Sequence, residues 1–322
     1  GDASQAAVGS FRLAAGGMIL YNRRKKGGRA VILEQTAARQ AKLLSILRRE
    51  FRLSAGLVKK LKWQNALFVN GSPAHTDCLV QPGDALRVVI EEKTEGFDPE
   101  PMALDILYED EAFLAVDKPA GMLVHPSPQK NCGTLANGVL YHLQRAGGSA
   151  GVHPVTRLDR DTFGVVLVAK NANVHDLFCR MLRERQIQKT YQAAVFGAPE
   201  QQAGEIDLPV YKIGGGNLIR IVDARGQAAV TQYRVLERAE RTALLQLHPV
   251  TGRTHQLRLH CQASGFPILG DPQYTAPAAR AYSDAHGLFT QQLCAVRLEF
   301  PHPMTGERME IQSRQAVIFP KD

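Results

Sequence analysis

A chain of 322 residues has room for two domains, and with 44% hydrophobic and 22% charged residues it is globular rather than disordered or collagen-like. No run approaches the roughly 18 uncharged apolar residues of a spanning helix, and five scattered cysteines without a C-x-x-C pair argue against a disulfide framework or zinc ribbon and for a reducing cytosol. The net charge of +8 is unevenly placed: residues 1–62 carry 14 basic and 3 acidic side chains, net +11, which leaves the remainder at −3. A basic segment on a neutral-to-acidic body points to a polyanion as partner.

Residues 1–30 read as a basic, flexible arm. The apolar run 13–21 precedes its charges instead of following them, so a secretory signal is not expected; composition leaves an organellar transit peptide open. Between Thr36 and Phe51, Leu43, Leu47 and Phe51 recur at i, i+4 and i+8, the spacing of an amphipathic helix. Ser54 fits the N-cap of a second short helix, with Leu57, Val58 and Leu61 on one side and Lys59, Lys60 and Lys62 on the other. Strands are expected at Ala66–Val69, before an Asn70-Gly71 turn, and at Ala85–Ile90. The polar, proline-bearing stretch around residues 96–102 reads as a linker. Beyond it, over residues 103–322, short β-rich runs outnumber helices: Phe113–Val116, Val165–Ala169, Gln192–Phe196, Ala243–Leu247 and Val296–Phe300. One clear helix fits Asn173–Arg185. This is not regular β-α-β alternation, so the fold class expected is α+β, with a mixed, mainly antiparallel central sheet flanked by helices and loops.

Two segments concentrate chemistry. In VTRLDRDTFGVVLVAK, Asp159 sits between Arg157 and Arg160 on a loop that opens, at Gly164, into a strongly apolar strand. Cationic neighbours keep such a carboxylate ionised, as a nucleophile requires; a surface salt-bridge loop is the plainer alternative. In VTGRTHQLRLH, if it is extended, Arg253 and His255 share one parity and Gln256, Arg258 and His260 the other. His255 and His260 lack an H-E-x-x-H or matching carboxylate spacing, so no metal site is expected.

Two resemblances follow from these motifs. LSAGLVKKL, LFVNG and VQPGDALRVVI, over residues 31–95, resemble the S-four type RNA-binding domain. That resemblance departs at Arg39-Gln40-Ala41, where Arg-Leu-Asp is usual, and at Gln64-Asn65, where a glycine turn is common. It implies RNA-binding roles for Arg48, Arg52, Lys59, Lys60 and Lys62. RLDRDTFG resembles the H-R-L-D-x-x-T-S-G signature of the RluA/RluD family of RNA pseudouridine synthases. KPAGMLVHP before it, and KTYQAAVFG, HPVTGRTHQLRLH and LEFPHPMTGE after it, fall in that family's order.

The second resemblance implies a pseudouridine synthase catalytic fold and an isomerase that needs no cofactor. Its substrate would be RNA, large-subunit ribosomal RNA first and transfer RNA as the alternative. The protein would be a monomer, cytoplasmic and not membrane-bound. The resemblance implies that Asp159 is the catalytic aspartate, Tyr191 the tyrosine that packs on the target base, and Arg258 the basic partner of the aspartate. It implies substrate contacts from Arg157, Thr162, Arg253 and His255. Thr156 and Phe163 stand where that family has His and Ser. The competing readings are a non-catalytic RNA-binding or ribosome-assembly protein on the same scaffold and a metal-dependent hydrolase; the set Asp159, Tyr191 and Arg258 disfavours the first, histidine spacing the second.

Overall fold

Two β-rich stretches, on either side of the proline-bearing segment, each build one large sheet and one two-stranded sheet. The computed structural model describes residues 10–12, 18–25, 28–92, 96–128, 130–146, 151–214 and 219–322. Within the first stretch lie β1 (Ser10–Arg12), β2 (Met18–Lys25), β3 (Gly28–Thr36) and β4 (Ala41–Lys42). Helices α1 (Leu43–Arg49) and α2 (Ala55–Trp63) follow, then β5 (Leu67–Val69), β6 (Ser72–Pro73), β7 (Leu79–Val80) and β8 (Ala85–Glu92). The sheet runs β1-β2-β3-β8-β5-β6, and β4 pairs with β7.

The helix–helix–strand order is as expected, with two corrections. The flexible arm over residues 1–30 is not free where it is described: its backbone supplies β1, β2 and the start of β3, each paired antiparallel with its neighbour. The remainder of that arm, residues 1–9, 13–17 and 26–27, lies outside the described residues. The helix expected from Thr36 starts only at Leu43, because Ala41 and Lys42 pair with Val80 and Leu79 and Lys42 is extended. Ser54 caps α2 as expected, its Oγ accepting from the Leu57 N–H at 3.0 Å. Asn70 and Gly71 both have positive φ, the requirement of a tight two-residue hairpin. Asn65 takes the left-handed conformation that a glycine would supply there.

The segment Gly96–Met102 has no regular secondary structure, yet it is tied down. Asn137 Nδ2 donates to the Asp98 carbonyl at 2.8 Å, and Glu100 accepts from the Gly133 N–H. Residues 93–95, at the start of that polar stretch, lie outside the described residues.

The second stretch holds β9 (Ile106–Glu109), β10 (Phe113–Lys118), α3 (Leu135–Arg145), β11 (His153–Pro154), β12 (Phe163–Ala169) and α4 (Ala172–Arg183). Next come β13 (Gln188–Phe196), β14 (Ala203–Asp207), β15 (Val210–Lys212), β16 (Arg220–Val222), β17 (Val230–Arg238) and β18 (Thr242–Pro249). Helices α5 (Gln256–Ala263) and α6 (Pro277–Ala285) precede β19 (Leu293–Pro301) and β20 (Arg308–Gln312). The long sheet runs β14-β17-β18-β13-β19-β12-β10-β9. Among its described pairs only β12 with β19 is parallel, so the sheet is mixed and mainly antiparallel, and the fold class is α+β.

Strand β12, FGVVLVA, is buried at every residue, and its alternation divides two cores. Val165, Leu167 and Ala169 pack with Val174, Leu177 and Phe178 of α4; Val166 and Val168 pack with Val139, Leu140 and Leu143 of α3. Helix α5 covers the far half of the sheet, Leu257 and Cys261 lying against Ala193, Leu245 and Leu247. The segment Val250–His260 is not extended throughout: the chain becomes helical at Gln256. His255 turns it with φ 59°, and the Gln256 side chain is bonded to Thr231 Oγ1 and the Val230 carbonyl.

Gly164 opens β12 at φ +108°, and a Cβ added there would press into the Ala295 carbonyl of β19. Gly71→Ala would meet nothing within 4 Å. We expect Gly164→Ala to lower unfolding stability by about 2 kcal/mol and Gly71→Ala by about 1 kcal/mol. Equal midpoints in urea for the two variants would contradict the crowding at the β12–β19 junction.

Candidate active site

A carboxylate on a loop is useful chemically only if the loop is stiff and the carboxylate stays ionised. The loop from Arg157 to Thr162 links β11 to β12, and it is fastened at several points. At its start the Thr156 hydroxyl accepts from the Leu167 N–H at 2.9 Å. At its end Thr162 is buried, and Gln291 Nε2 donates to its hydroxyl. Arg160 and Asp161 form a two-bond pair on the surface. Beneath the loop, Lys118 is fully buried at the end of β10. Its Nζ donates to the carbonyls of Pro119, Met122 and Arg160 at 2.8–2.9 Å. Burial pushes this ammonium down to about 8, against the pull of Asp161 and Asp159.

Helix α5 brings Arg258 up to Asp159, its Nη1 lying 3.2 Å from Oδ2. The Arg258 side chain is only 6% exposed, and Asp271, wholly buried, grips it with two bonds of 2.7 and 2.8 Å. Gln273 accepts a further bond, and the guanidinium lies over the Tyr274 ring at 4.9 Å. Burial works against the cation, but the bonds to Asp271 and the charges of both aspartates outweigh it and raise its proton affinity. The Asp159 side chain keeps 26% of its surface exposed. The site thus pairs one guanidinium with two carboxylates, one buried and one open.

His255 stands on the other side of Asp159, Nε2 3.9 Å from Oδ2, with Nδ1 held 2.9 Å from the Tyr274 hydroxyl. Burial, with Arg258 and Arg220 nearby, lowers its affinity for a proton despite Asp159, so the ring is neutral at pH 7. Tyr191, on β13 between Leu247 and Ala295, is partly buried. Burial, and after it the charge of Asp159, pushes its hydroxyl far above the usual tyrosine value. Its resting form is a neutral phenol.

Asp159, Arg258, His255 and Tyr191 are therefore neighbours, although 99 residues separate the first two. Arg157 is exposed on the same loop. Arg253 is exposed too, its Nε donating to the Ala228 carbonyl at 3.2 Å. Thr162, expected to touch substrate, is buried and spent on Gln291, so it fastens the loop from within. Arg48, Arg52, Lys59, Lys60 and Lys62 are exposed on α1, α2 and the turn between them, in the first sheet's module.

Sequence reasoning missed Asp271, Lys118 and Gln291. The signals were faint: a lysine closing an apolar strand in FLAVDK, and an aspartate after the apolar run FPIL. Gln291 is wholly buried with its Oε1 unpaired, a placement that no spacing announces. Among the described residues no three His, Cys, Asp or Glu side chains are grouped as a metal ion would need. No described helix is long and apolar enough to cross a membrane.

Residues 112–263 match a family described as RNA pseudouridylate synthase. An uncharacterized RNA pseudouridine synthase of Bacillus subtilis is 40% identical over 250 residues, covering 76% of this chain and 80% of its own. Ribosomal large subunit pseudouridine synthase D of Pseudomonas aeruginosa is 36% identical over 256 residues, covering 77% and 79%. Among solved structures, human RNA pseudouridylate synthase domain containing 1 superposes with a TM-score of 0.53 at 26% identity, covering 67% of this chain and 86% of its own.

Removing one partner of a buried pair leaves a stranded charge. Asp271→Ala is expected to cost about 3 kcal/mol of stability, and Asp159→Asn, at an open position, no more than about 1 kcal/mol. Denaturant unfolding of the two variants checks this, and equal losses would contradict the division of labour. Lys118 gives a pH signature. Its folded value, about 8, lies below its ordinary 10.5, so the unfolded chain holds the extra proton between these limits. Its contribution to stability therefore rises with pH across that window. Above about 8 the neutral amine has too few protons for three carbonyls. Catalytic turnover is expected to decline on that basic limb while stability does not, and a flat rate to pH 9.5 would count against a charged Lys118 in the working site.

Proposed function

The chain belongs to the RNA pseudouridylate synthase family, and we propose that it converts uridine to pseudouridine in large-subunit ribosomal RNA with Asp159 as the acting carboxylate. The family makes it an isomerase acting on RNA. The observation that carries the assignment to Asp159 is its contact with a guanidinium already fixed by a second, buried aspartate.

Isomerisation breaks the bond from C1′ to N1, turns the base, and forms a bond from C1′ to C5; C5 releases its proton and N1 takes one up. A uridine stacked in a helix hides the reacting bond, so the nucleotide must be extruded first. Arg157, exposed on the catalytic loop, is suited to fill the gap left behind. Attack at C1′ and removal of the 2′ proton both need the carboxylate aimed at the sugar, and Arg258 Nη1, 3.2 Å from Oδ2, orients it. Both contacts to Asp159 go to Oδ2, which leaves Oδ1 for the sugar. Tyr191, a phenol held protonated beside the carboxylate, is suited to pack on the uracil ring. It is not a standing base, so any part in removing the C5 proton passes through the phenol. His255, neutral and steadied by Tyr274, offers a polar edge to the substrate, and Arg253 an exposed cation for a phosphate.

The first module is proposed to be an S-four type RNA-binding domain, over residues 31–95, ahead of a catalytic domain over 103–322. The support is the helix–helix–strand order and five exposed cations on α1, α2 and their connecting turn. The choice of large-subunit RNA over transfer RNA leans on relatives named as large-subunit synthases. The proposal takes the enzyme to act as a cytoplasmic monomer.

Tritium release from RNA transcribed with uridine tritiated at C5 tests the assignment. Wild type should release tritium from large-subunit RNA and not from transfer RNA, and Asp159→Asn should release none while binding RNA as tightly. Release by Asp159→Asn at the wild-type rate would remove Asp159 from the mechanism, and release only from transfer RNA would reassign the substrate.

A further inference from the structure

Away from Asp159, the two helices of the first module enclose a groove whose walls suit a particular ligand. On α1, Leu44 and Arg48 are four residues apart; on α2, Ala55, Val58, Lys59 and Lys62 recur at helical spacing. With Thr76 these side chains line a cavity of about 350 Å³. That is the low end of the range for small-molecule sites, roughly 300–1,000 Å³, and enough for one nucleotide. The floor is apolar: Val58 is buried and Leu44 is 45% exposed. The rim is cationic, Arg48, Lys59 and Lys62 all being exposed.

No acidic residue occurs in α1 or α2. Glu50, just beyond α1, is occupied by Arg39 and Gln35, and Asp77 is exposed next to Thr76. Trp63, one turn beyond Lys59 and 78% exposed, is the only tryptophan of the chain. A tryptophan and a leucine left in water among cations are poor monomer surface and good surface for a partner that is both flat-faced and anionic. Unpaired RNA has both properties, whereas a duplex hides its base faces.

We propose that the α1–α2 groove holds one unpaired nucleotide, its base against Leu44 and Val58 and its phosphates on Arg48, Lys59 and Lys62, with the adjoining base stacked on Trp63. The inference rests on the RNA-binding reading of this module and sharpens it. The module selects an unpaired stretch of RNA and does not merely neutralise phosphates.

Trp63 reports on its own neighbourhood, so the intact protein needs no label. Its fluorescence is followed during titration with a short single-stranded oligouridylate, a blunt RNA duplex of equal charge, and a polyglutamate peptide. The oligouridylate should quench Trp63 and bind about tenfold tighter than the duplex. Trp63→Ala and Leu44→Ala, both at exposed positions, should each weaken single-strand binding by about fivefold or more with the salt slope unchanged, read by filter binding. Trp63→Phe should keep most of the affinity. Lys59→Gln combined with Lys62→Gln should instead reduce the slope of log affinity against log salt by about 1.4.

Equal affinity for duplex and single strand, no quenching by oligouridylate, or an unaffected Leu44→Ala would each overturn the groove. So would tighter binding of polyglutamate, which would assign this face to an acidic protein. These readouts need no turnover. A protein that releases tritium but fails them keeps the isomerase and loses the groove; one that passes them but releases none does the reverse.

Discussion

The site depends on one buried guanidinium. An arginine taken out of water must be fully paired or it destabilises the fold. Asp271 meets that demand with two bonds, and Tyr274 lies against the guanidinium plane. What remains is Nη1, already oriented, and Asp159 receives it. The two carboxylates differ in burial and therefore in role. Asp271, with no exposed surface, is part of the architecture, whereas Asp159, with 26% exposed, is open to a substrate. The bond that matters for chemistry is thus a by-product of one that matters for folding, which is how a fold preorganises charge without reorganisation during reaction.

The same economy holds the loop that carries Asp159. The parallel meeting of β12 and β19 brings Gly164 so close to Ala295 that no side chain fits. From below, Lys118 gathers three carbonyls, one of them from Arg160 within the loop. Thr156 and Thr162 tie the two ends to Leu167 and Gln291. These bonds explain how the loop accommodates its two departures from the family signature. Thr156 replaces an imidazole but still satisfies a strand N–H. Phe163, in place of a serine, is buried at the β12–β19 junction opposite Cys294 and so faces packing.

Much of this was readable from the chain because it is local. The apolar run Val165–Ala169 reads as a strand, and it lies in β12, which is buried on both faces. Ser54 and the Asn70-Gly71 pair announced a helix start and a hairpin through backbone needs that tertiary context did not alter. Misreadings arose where distant partners decide. The periodicity from Thr36 suggested a helix, but Ala41 and Lys42 found a strand partner in residues 79–80. The parity around His255 holds only in an extended chain, and one left-handed residue and the Gln256 bonds turn the segment into a helix instead. Asp271 and Gln291 escaped notice for the same reason. Their importance lies in side chains 13 and 129 residues away.

The charge distribution gives these separate devices a common logic. The body beyond residue 62 is net −3, and the group proposed to react, Asp159, is itself an acid. Such a surface does not attract a polyphosphate over distance. The first 62 residues, net +11, can, because phosphate contacts supply affinity while remaining indifferent to sequence. Separating attraction from chemistry in this way leaves Asp159 in a site whose nearest cation is already committed to Asp271. A site built from free lysines would draw RNA more strongly but would compete with the reacting sugar for the carboxylate. On the proposed reading, RNA capture on the α1–α2 module leaves the Asp159 carboxylate an open oxygen.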